Sequence, residues 1–435
     1  MTRLFFLISC AAVASAQTAV PDPLSLREAL RIAETASPDL QLARLKALEA
    51  QAQARVAGSA LGPQLALHAS QRYQTTNLGN IGLGTDALSA FGLGQRIGPF
   101  RVFDARPRLT QVVLDLSMRA TAQAALLTAQ AAGEDSGVVA EQTRYMVVQL
   151  YLRALQAEAR RMAAESRLAG RKAVLDHAEE TYAAGTVDRL EVTRGREAYE
   201  RERLSGILAA RDRDTLITML LKTVGAGNVT SVKLEPVPPL VEPQIGTVND
   251  ALESRTELRV LRTRALAADA EIRAAERERL PRIDGIGDFG VLGADPARNV
   301  STWLVGASLS IPLWTNRRIE NNIQAAKARK QSWEEQRRQF ERQVRQEVAQ
   351  AMVERDAARQ TLDAASRRLA AARETLGLVR MRVEAGLAPQ LELLASQSSM
   401  AEAEEDRVGA QFDGWLASAS LAHARGDSRL FLAPQ

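Results

Sequence analysis

Cysteine is almost absent from this chain, with one in 435 residues, at position 10. A chain so poor in thiols has no disulfide framework and no thiolate metal site. Aromatic residues make up only 4%, so a core built around large rings is not expected. The three histidines, His68, His177 and His423, lie too far apart in sequence to show metal-ligand spacing, and the eight methionines are dispersed. Long apolar runs are missing as well. After residue 20 nothing approaches 18 consecutive apolar residues, so no transmembrane helix is available. Nucleophile elbows, phosphate loops and metal motifs are also missing, which leaves catalysis without a foothold and calls for no cofactor. The glycines of "NLGNIGLGTDALSAFGLG", residues 77–94, fit an exposed loop, because no strand-turn-helix context surrounds them. The net charge of +4 comes from arginines scattered among many Glu and Asp, with no single basic face, and argues against a nucleic-acid partner.

What is present begins with a leader. "MTRLFFLISCAAVASAQ" has one early cation at Arg3, an apolar stretch from Leu4 to Val13 and small residues before Gln17, the layout of a secretory signal peptide over residues 1–16. A second option is open at "LISC", where Cys10 would be the lipid anchor of an exported lipoprotein.

The chain then says most things twice. "AAGTVDRLEV" (183–192) matches "EAGLAPQLEL" (384–393) at an offset of 201, aligning Gly185 with Gly386, Leu190 with Leu391 and Glu191 with Glu392. "SPDLQLARLKALEAQ" from Ser37 matches "RTELRVLRTRALAAD" from Arg255 at an offset of 218, and "RLTQVVLDLS" from Arg108 matches "SLSIPLWTNR" from Ser308 at 200. Each copy reads helix, strand, loop, strand, long helix, Gly turn, helix. The first spans 17–233, with strands near 63–75 and 103–116, a long helix over 117–184 and a helix over 187–224. A linker with four prolines, 234–246, separates it from the second, 247–435, with strands near 282–293 and 301–313, a long helix over 315–385 and a helix over 388–425.

The long helices carry no proline from 108 to 235 and none from 313 to 388, while apolar residues recur at helical spacing, as in Val147, Leu150, Tyr151, Ala154. At about 1.5 Å per residue the first reaches roughly 100 Å, wider than one globular core, so such helices pack on one another as a coiled-coil-like assembly. The strands alternate. In "STWLVGASLSIPL", Trp303, Val305, Leu309, Ile311 and Leu313 share one face, and Thr302, Gly306, Ser308 and Ser310 the other. That pattern fits a sheet between lipid and water. Four strands cannot close a barrel, and an open edge in lipid leaves unsatisfied backbone groups, so several chains must pool strands. Two chains would fill the barrel with side chains; three would leave a lumen. A soluble or peripheral periplasmic coiled-coil adaptor with a structural role remains the second possibility.

The duplicated unit, "SPDL…P" and "RTEL…P", "IPLWTNRR" and the paired Gly turns together resemble the outer membrane efflux protein family, the TolC-like channels, over essentially the whole mature chain. The resemblance implies a mainly α fold with a small β part. As a homotrimer it would form a 12-stranded outer-membrane barrel continued by a helical periplasmic barrel. It implies a passive exit duct of a tripartite efflux pump or type I secretion system, gated at its periplasmic tip. The partners would be a periplasmic adaptor (membrane fusion) protein, an inner-membrane pump of the RND or ABC type, and outer-membrane lipids.

Carried over by position, Glu392 matches the family's gate acid and Glu191 an acid that helps latch the closed state. A second gate acid is missing at Ala395, and the latch partners are replaced by Val383 and Ala388, leaving Arg189 and Arg382 as substitutes. Gly185, Leu190, Gly386 and Leu391 would form the tip that docks the adaptor; as bare sequence they also fit simple hairpin closure. Glu191 and Glu392 also fit first-turn acids that complement a helix dipole. Trp303 and Trp314 would be interface aromatics of the barrel, near Arg277, Arg279, Arg282, Arg317 and Arg318 where anionic headgroups would lie.

Overall fold

The structure is a computed structural model and describes residues 20–77, 90, 96–226, 229–237 and 247–426, without the side chains of Gln390 and Leu391. The leader with Cys10, most of the glycine-rich loop and the linker beyond 237 lie outside the described residues.

In chain order the elements are α1 (Leu26–Ala36), α2 (Pro38–Ser59), β1 (Gln64–Asn77), β2 (Arg96–Leu114), α3 (Leu116–Ala183) and α4 (Arg189–Val224). The same series returns as α5 (Val248–Ser254), α6 (Thr256–Arg277), β3 (Arg282–Asp295), β4 (Arg298–Ser310), α7 (Arg318–Glu384) and α8 (Gln390–Ala424). The fold is therefore mainly α with a small antiparallel sheet, built from a duplicated unit.

Several bounds differ from those the sequence suggests. The leading helix of each copy is broken into two, at Ser37, whose ψ of 125° suits a residue before proline, and at Arg255, whose ψ is 116°. β2 begins at Arg96 where alternation suggests 103, because its first half carries Arg96, Pro99 and Arg101 and hides the period. Helix α7 starts at Arg318 where the sequence suggests 315, since Asn316 and Arg317 hold φ of 47° and 61°. The closing helices begin at Arg189 and Gln390, slightly later than 187 and 388.

The chain forms two compact units. The first comprises residues up to 45, 134–259 and 338 onward. Its core gathers Leu24, Ile32, Val147, Val148, Tyr151, Leu152, Leu220 and Val224, and each aliphatic side chain so buried contributes about 1.5–3 kcal/mol. The Tyr151 hydroxyl sits 2.8 Å from the Leu24 carbonyl and 2.7 Å from that of Glu235, so its one proton is shared between two chain segments. Burial pushes its pKa up, which keeps it a donor. Those segments also pair directly, Leu24 N–H donating to the Lys233 carbonyl at 2.8 Å and Glu235 N–H to that of Leu24 at 2.9 Å.

A second cluster joins Ala251, Val344, Val348, Ala351 and Leu421. Beside it Arg255, only 4% exposed, holds several groups. Its Nη1 donates to Glu347 at 3.0 Å and to the terminal carbonyl of α8, Ala424, at 3.2 Å. Its Nε reaches Glu257 at 3.2 Å, and its guanidinium lies 5.3 Å over the Phe340 ring. A cation at the end of α8 meets the negative end of the helix dipole.

Each copy ends on the same joint. Gly225 and Gly426 both take φ of 85° after α4 and α8. A β carbon on Gly225 would lie 2.1 Å from the Ala36 carbonyl oxygen, and one on Gly426 3.1 Å from Ser254 Oγ. The end of the last helix thus rests on the end of the first short helix in both copies, and at Gly225 only glycine fits.

The second unit, residues 46–133 and 260–337, contains the sheet. Its strands run β1-β2-β3-β4, each antiparallel to the next, and β1 and β4 are the edges. The middle pair, β2 with β3, joins the two copies of the repeat.

Candidate functional site: a two-faced sheet and two glycine turns

The strand register sorts side chains by face. His68, Arg106 and Gly290 stand across from one another, as do Ala66, Arg108, Asp288 and Leu304. On this polar face Arg106 Nη1 meets Asp288 at 3.1 Å and its Nε meets Asp104 at 2.6 Å, while Arg108 Nη2 approaches Asp288 at 3.5 Å. The ion cluster ties the two copies together across the β2–β3 seam. Gly290 makes room for it, because a β carbon there would lie 2.3 Å from Arg106 Cβ. The alternation shows these residues sharing a face, but the pairing needs the register.

The opposite face is apolar. Leu65, Leu67, Leu109, Phe289, Val305 and Leu309 stand exposed on it, with Trp303 paired across from Phe289 and 73% exposed. Trp314 follows β4 and is also exposed. So much apolar area on one side of a sheet suits hydrocarbon and not water. Among the described residues no helix is long and apolar enough to cross a membrane, and no group of three or more His, Cys, Asp and Glu is placed to hold a metal ion.

At the far ends of the long helices the two turns are near copies. After α3, Gly185 has φ of 76°, its N–H donates to the Tyr182 carbonyl at 2.9 Å, and Thr186 N–H closes back on Thr181 at 3.0 Å. After α7, Gly386 has φ of 70°, with bonds to Val383 at 3.0 Å and from Leu387 N–H to Arg382 at 2.8 Å. Both are left-handed helix ends that use the same pair of carbonyls. Leu190 is exposed, whereas the side chain of Leu391 lies outside the described residues.

The acids after these turns have different partners. Glu191 pairs with Arg194 on its own helix at 3.2 Å, a contact any helix offers at that spacing. Glu392 reaches back across the turn to Arg382 Nη1 at 3.1 Å. Arg382, expected from the sequence as a substitute latch beside Glu191, is thus engaged by Glu392. The α4 helix is capped by Asp188, whose side chain accepts from Leu190 N–H, whereas Pro389 gives α8 no side-chain cap.

A sheet polar on one face and apolar on the other, on a chain dominated by long helical hairpins, defines the class of outer-membrane ducts. The chain belongs to the outer membrane efflux protein family, whose profile matches residues 29–226 and 247–427. Curated protein sequences give no match. Among solved structures, the CmeC outer membrane channel of Campylobacter jejuni is similar at 17% identity and a TM-score of 0.80, over 92% of this chain and 85% of that one. The outer membrane protein VceC of Vibrio cholerae is 20% identical with a TM-score of 0.74, over 92% and 96%. The open state of the MtrE outer membrane channel of Neisseria gonorrhoeae is 22% identical with a TM-score of 0.74, over 93% and 89%. At such identities these structures establish the shared fold. With the family match, the chain is an efflux duct of the outer membrane that extends into the periplasm, from a family of channels and not of enzymes.

Proposed function

We propose that three copies pool their strands into one twelve-stranded barrel and act as a passive exit duct, gated at the periplasmic turns. The observation that carries this is the open sheet: four strands with β1 and β4 unpaired at the edges and an apolar outer face. In hydrocarbon each unsatisfied edge group costs several kcal/mol, so the edges must be met by other copies, and three is the smallest number that leaves a lumen.

Glu392 then forms a ring about the axis by symmetry, its charge compensated by Arg382. Glu191 supports the neighbouring hairpin. The gate would open and close as these compensated charges separate. Gly185, Leu190, Gly386 and Leu391 form the tips to which a periplasmic adaptor docks, and the adaptor joins the duct to an inner-membrane pump of the RND or ABC type, for efflux or type I secretion. Trp303 and Trp314 anchor the barrel at the membrane interfaces. The duct takes its cargo from its pump.

The test is the mass of the detergent-extracted protein by native mass spectrometry. Three chains per particle are expected; a stable monomer or dimer overturns the proposal.

A further inference from the structure

We propose that the elbow between β4 and α7, Leu313 to Arg317, seats on a glycerophospholipid of the membrane leaflet facing the periplasm. Leu313 and Trp314 enter the boundary between acyl chains and headgroups, and the Arg317 guanidinium takes the lipid phosphate. This rests on the outer-membrane placement of the sheet's apolar face.

Leu313 and Trp314 are 92% and 86% exposed, the highest values among the large apolar side chains described. They continue the lipid-facing row. Trp303, Val305 and Leu309 stand at alternate positions along one face of β4, which ends at Ser310, and Ile311 and Leu313 follow it, both exposed. From Trp303 to the end of β4 at Ser310 the strand rises about 23 Å at ~3.3 Å per residue, which a tilt of about 40° turns into roughly 18 Å of depth, so Ile311 to Trp314 follow at the lower margin of an apolar band about 25 Å tall. The order along the chain is then the order of depth: aliphatic row, Trp314, cations. Such a sequence matches hydrocarbon, interface and headgroup in turn.

The duplication supplies an internal comparison. At the matching junction of the first copy stand Val113, Leu114, Asp115, Leu116 and Ser117, and α3 begins directly at Leu116. Only the second copy inserts an elbow, with two consecutive non-glycine residues at positive φ, and it gathers five arginines near the junction where the first copy has Arg119 in the first turn of α3. Three of them are neutralised: Arg279 by Glu320 at 3.0 Å, Arg318 by Glu278 at 2.6 Å and Arg282 by Asp284 at 2.7 Å. Among the described residues Arg317 and Arg277 have no carboxylate partner, and of these two Arg317 is the exposed one while Arg277 is half-buried.

A neighbouring copy would meet β4 through its backbone edge, in the plane of the sheet. The row from Trp303 to Leu309 stands perpendicular to that plane and stays open to lipid.

The experiment reads tryptophan quenching in the full-length protein. Vesicles of phosphatidylethanolamine and phosphatidylglycerol carry a phospholipid brominated near the headgroup end of its acyl chain. With Trp303→Phe as background, the component lost on Trp314→Phe should be quenched by the brominated lipid and spared by aqueous acrylamide. Quenching by acrylamide, or by neither agent, overturns the proposal, the first placing Trp314 in water and the second under protein. Trp303 in the Trp314→Phe protein is the control. If brominated lipid does not reach Trp303 either, the membrane placement of the sheet fails; if Trp303 alone is quenched, only the elbow fails. Arg317→Glu should lower the phospholipid retained through detergent washing by about fivefold, the equivalent of one surface cation, and Arg317→Lys should largely preserve it. Equal retention in Arg317→Glu removes Arg317 from the site.

Discussion

Arg255→Met removes a buried charge while keeping most of the side chain's volume, and its cost follows from what the guanidinium holds. The last carbonyls of α8 lose a donor, at about 1 kcal/mol per hydrogen bond. Glu257 and Glu347 lose a cation, but they are 21% and 34% exposed and can rehydrate, so the full 3–5 kcal/mol of a stranded buried charge is not reached. A loss of about 2–4 kcal/mol is expected. The unit has roughly 270 residues, and unfolding entropy scales at about 2.1 cal/mol/K per residue, which converts this loss to a fall of about 4–7 °C in melting temperature. The assay is thermal unfolding in detergent at one fixed heating rate. Arg255→Lys should fall between the two proteins, since an ammonium cannot fork to a helix end and two carboxylates together. Glu347→Gln alone should cost under about 1 kcal/mol. An Arg255→Met protein melting within about 1 °C of the parent, or no worse than Glu347→Gln, refutes the reasoning.

Gly225→Ala should destabilise by about 3 kcal/mol or more, because its β carbon meets the Ala36 carbonyl, whereas Gly386→Ala has open space and bears only the left-handed penalty of about 1–2 kcal/mol; equal losses in denaturant melts would contradict this. In planar bilayers Glu392→Gln should raise conductance and weaken block by divalent cations, and Arg382→Gln, by unmasking the carboxylate, should strengthen block. Unchanged block in both variants removes the pair from the gate. His423 is stacked on Tyr145 with ring centroids 4.2 Å apart, and burial, then the charge of Arg255, lowers its pKa from 6.5. The unfolded imidazole therefore binds a proton first as pH falls below about 6.5, and stability present above that pH is lost on acidification. His423→Gln should flatten this part of the profile in melts from neutral to mildly acidic pH, and parallel profiles would exclude His423 as the cause.

Much of the fold is legible because its periods are simple. Ten-residue alternation from Trp303 and the proline-free stretches around Val147 and Val344 announce strands and long helices without help from tertiary structure. What stays hidden depends on contacts between distant positions. Arg255 reads as an ordinary residue opening a helix, and only the fold brings Glu347 and the α8 terminus to it. Arg106 and Asp288 alternate correctly on separate strands, yet their ion pair requires the β2–β3 register. At the turns the glycines are plain in the sequence, because a left-handed helix end has a local signature. The partner of Glu392 is not, since Arg382 lies ten residues away across a reversal, outside any helical spacing rule.

The two unpaired edges, β1 and β4, make each chain answerable to its neighbours. If three copies make the barrel, as proposed, a variant unable to offer one edge spoils every particle it enters. Expressed in equal amount with the intact chain, it would leave only about one particle in eight free of it. Such alleles should therefore behave as dominant, and a cell's export capacity should fall far faster than the dose of the defective copy.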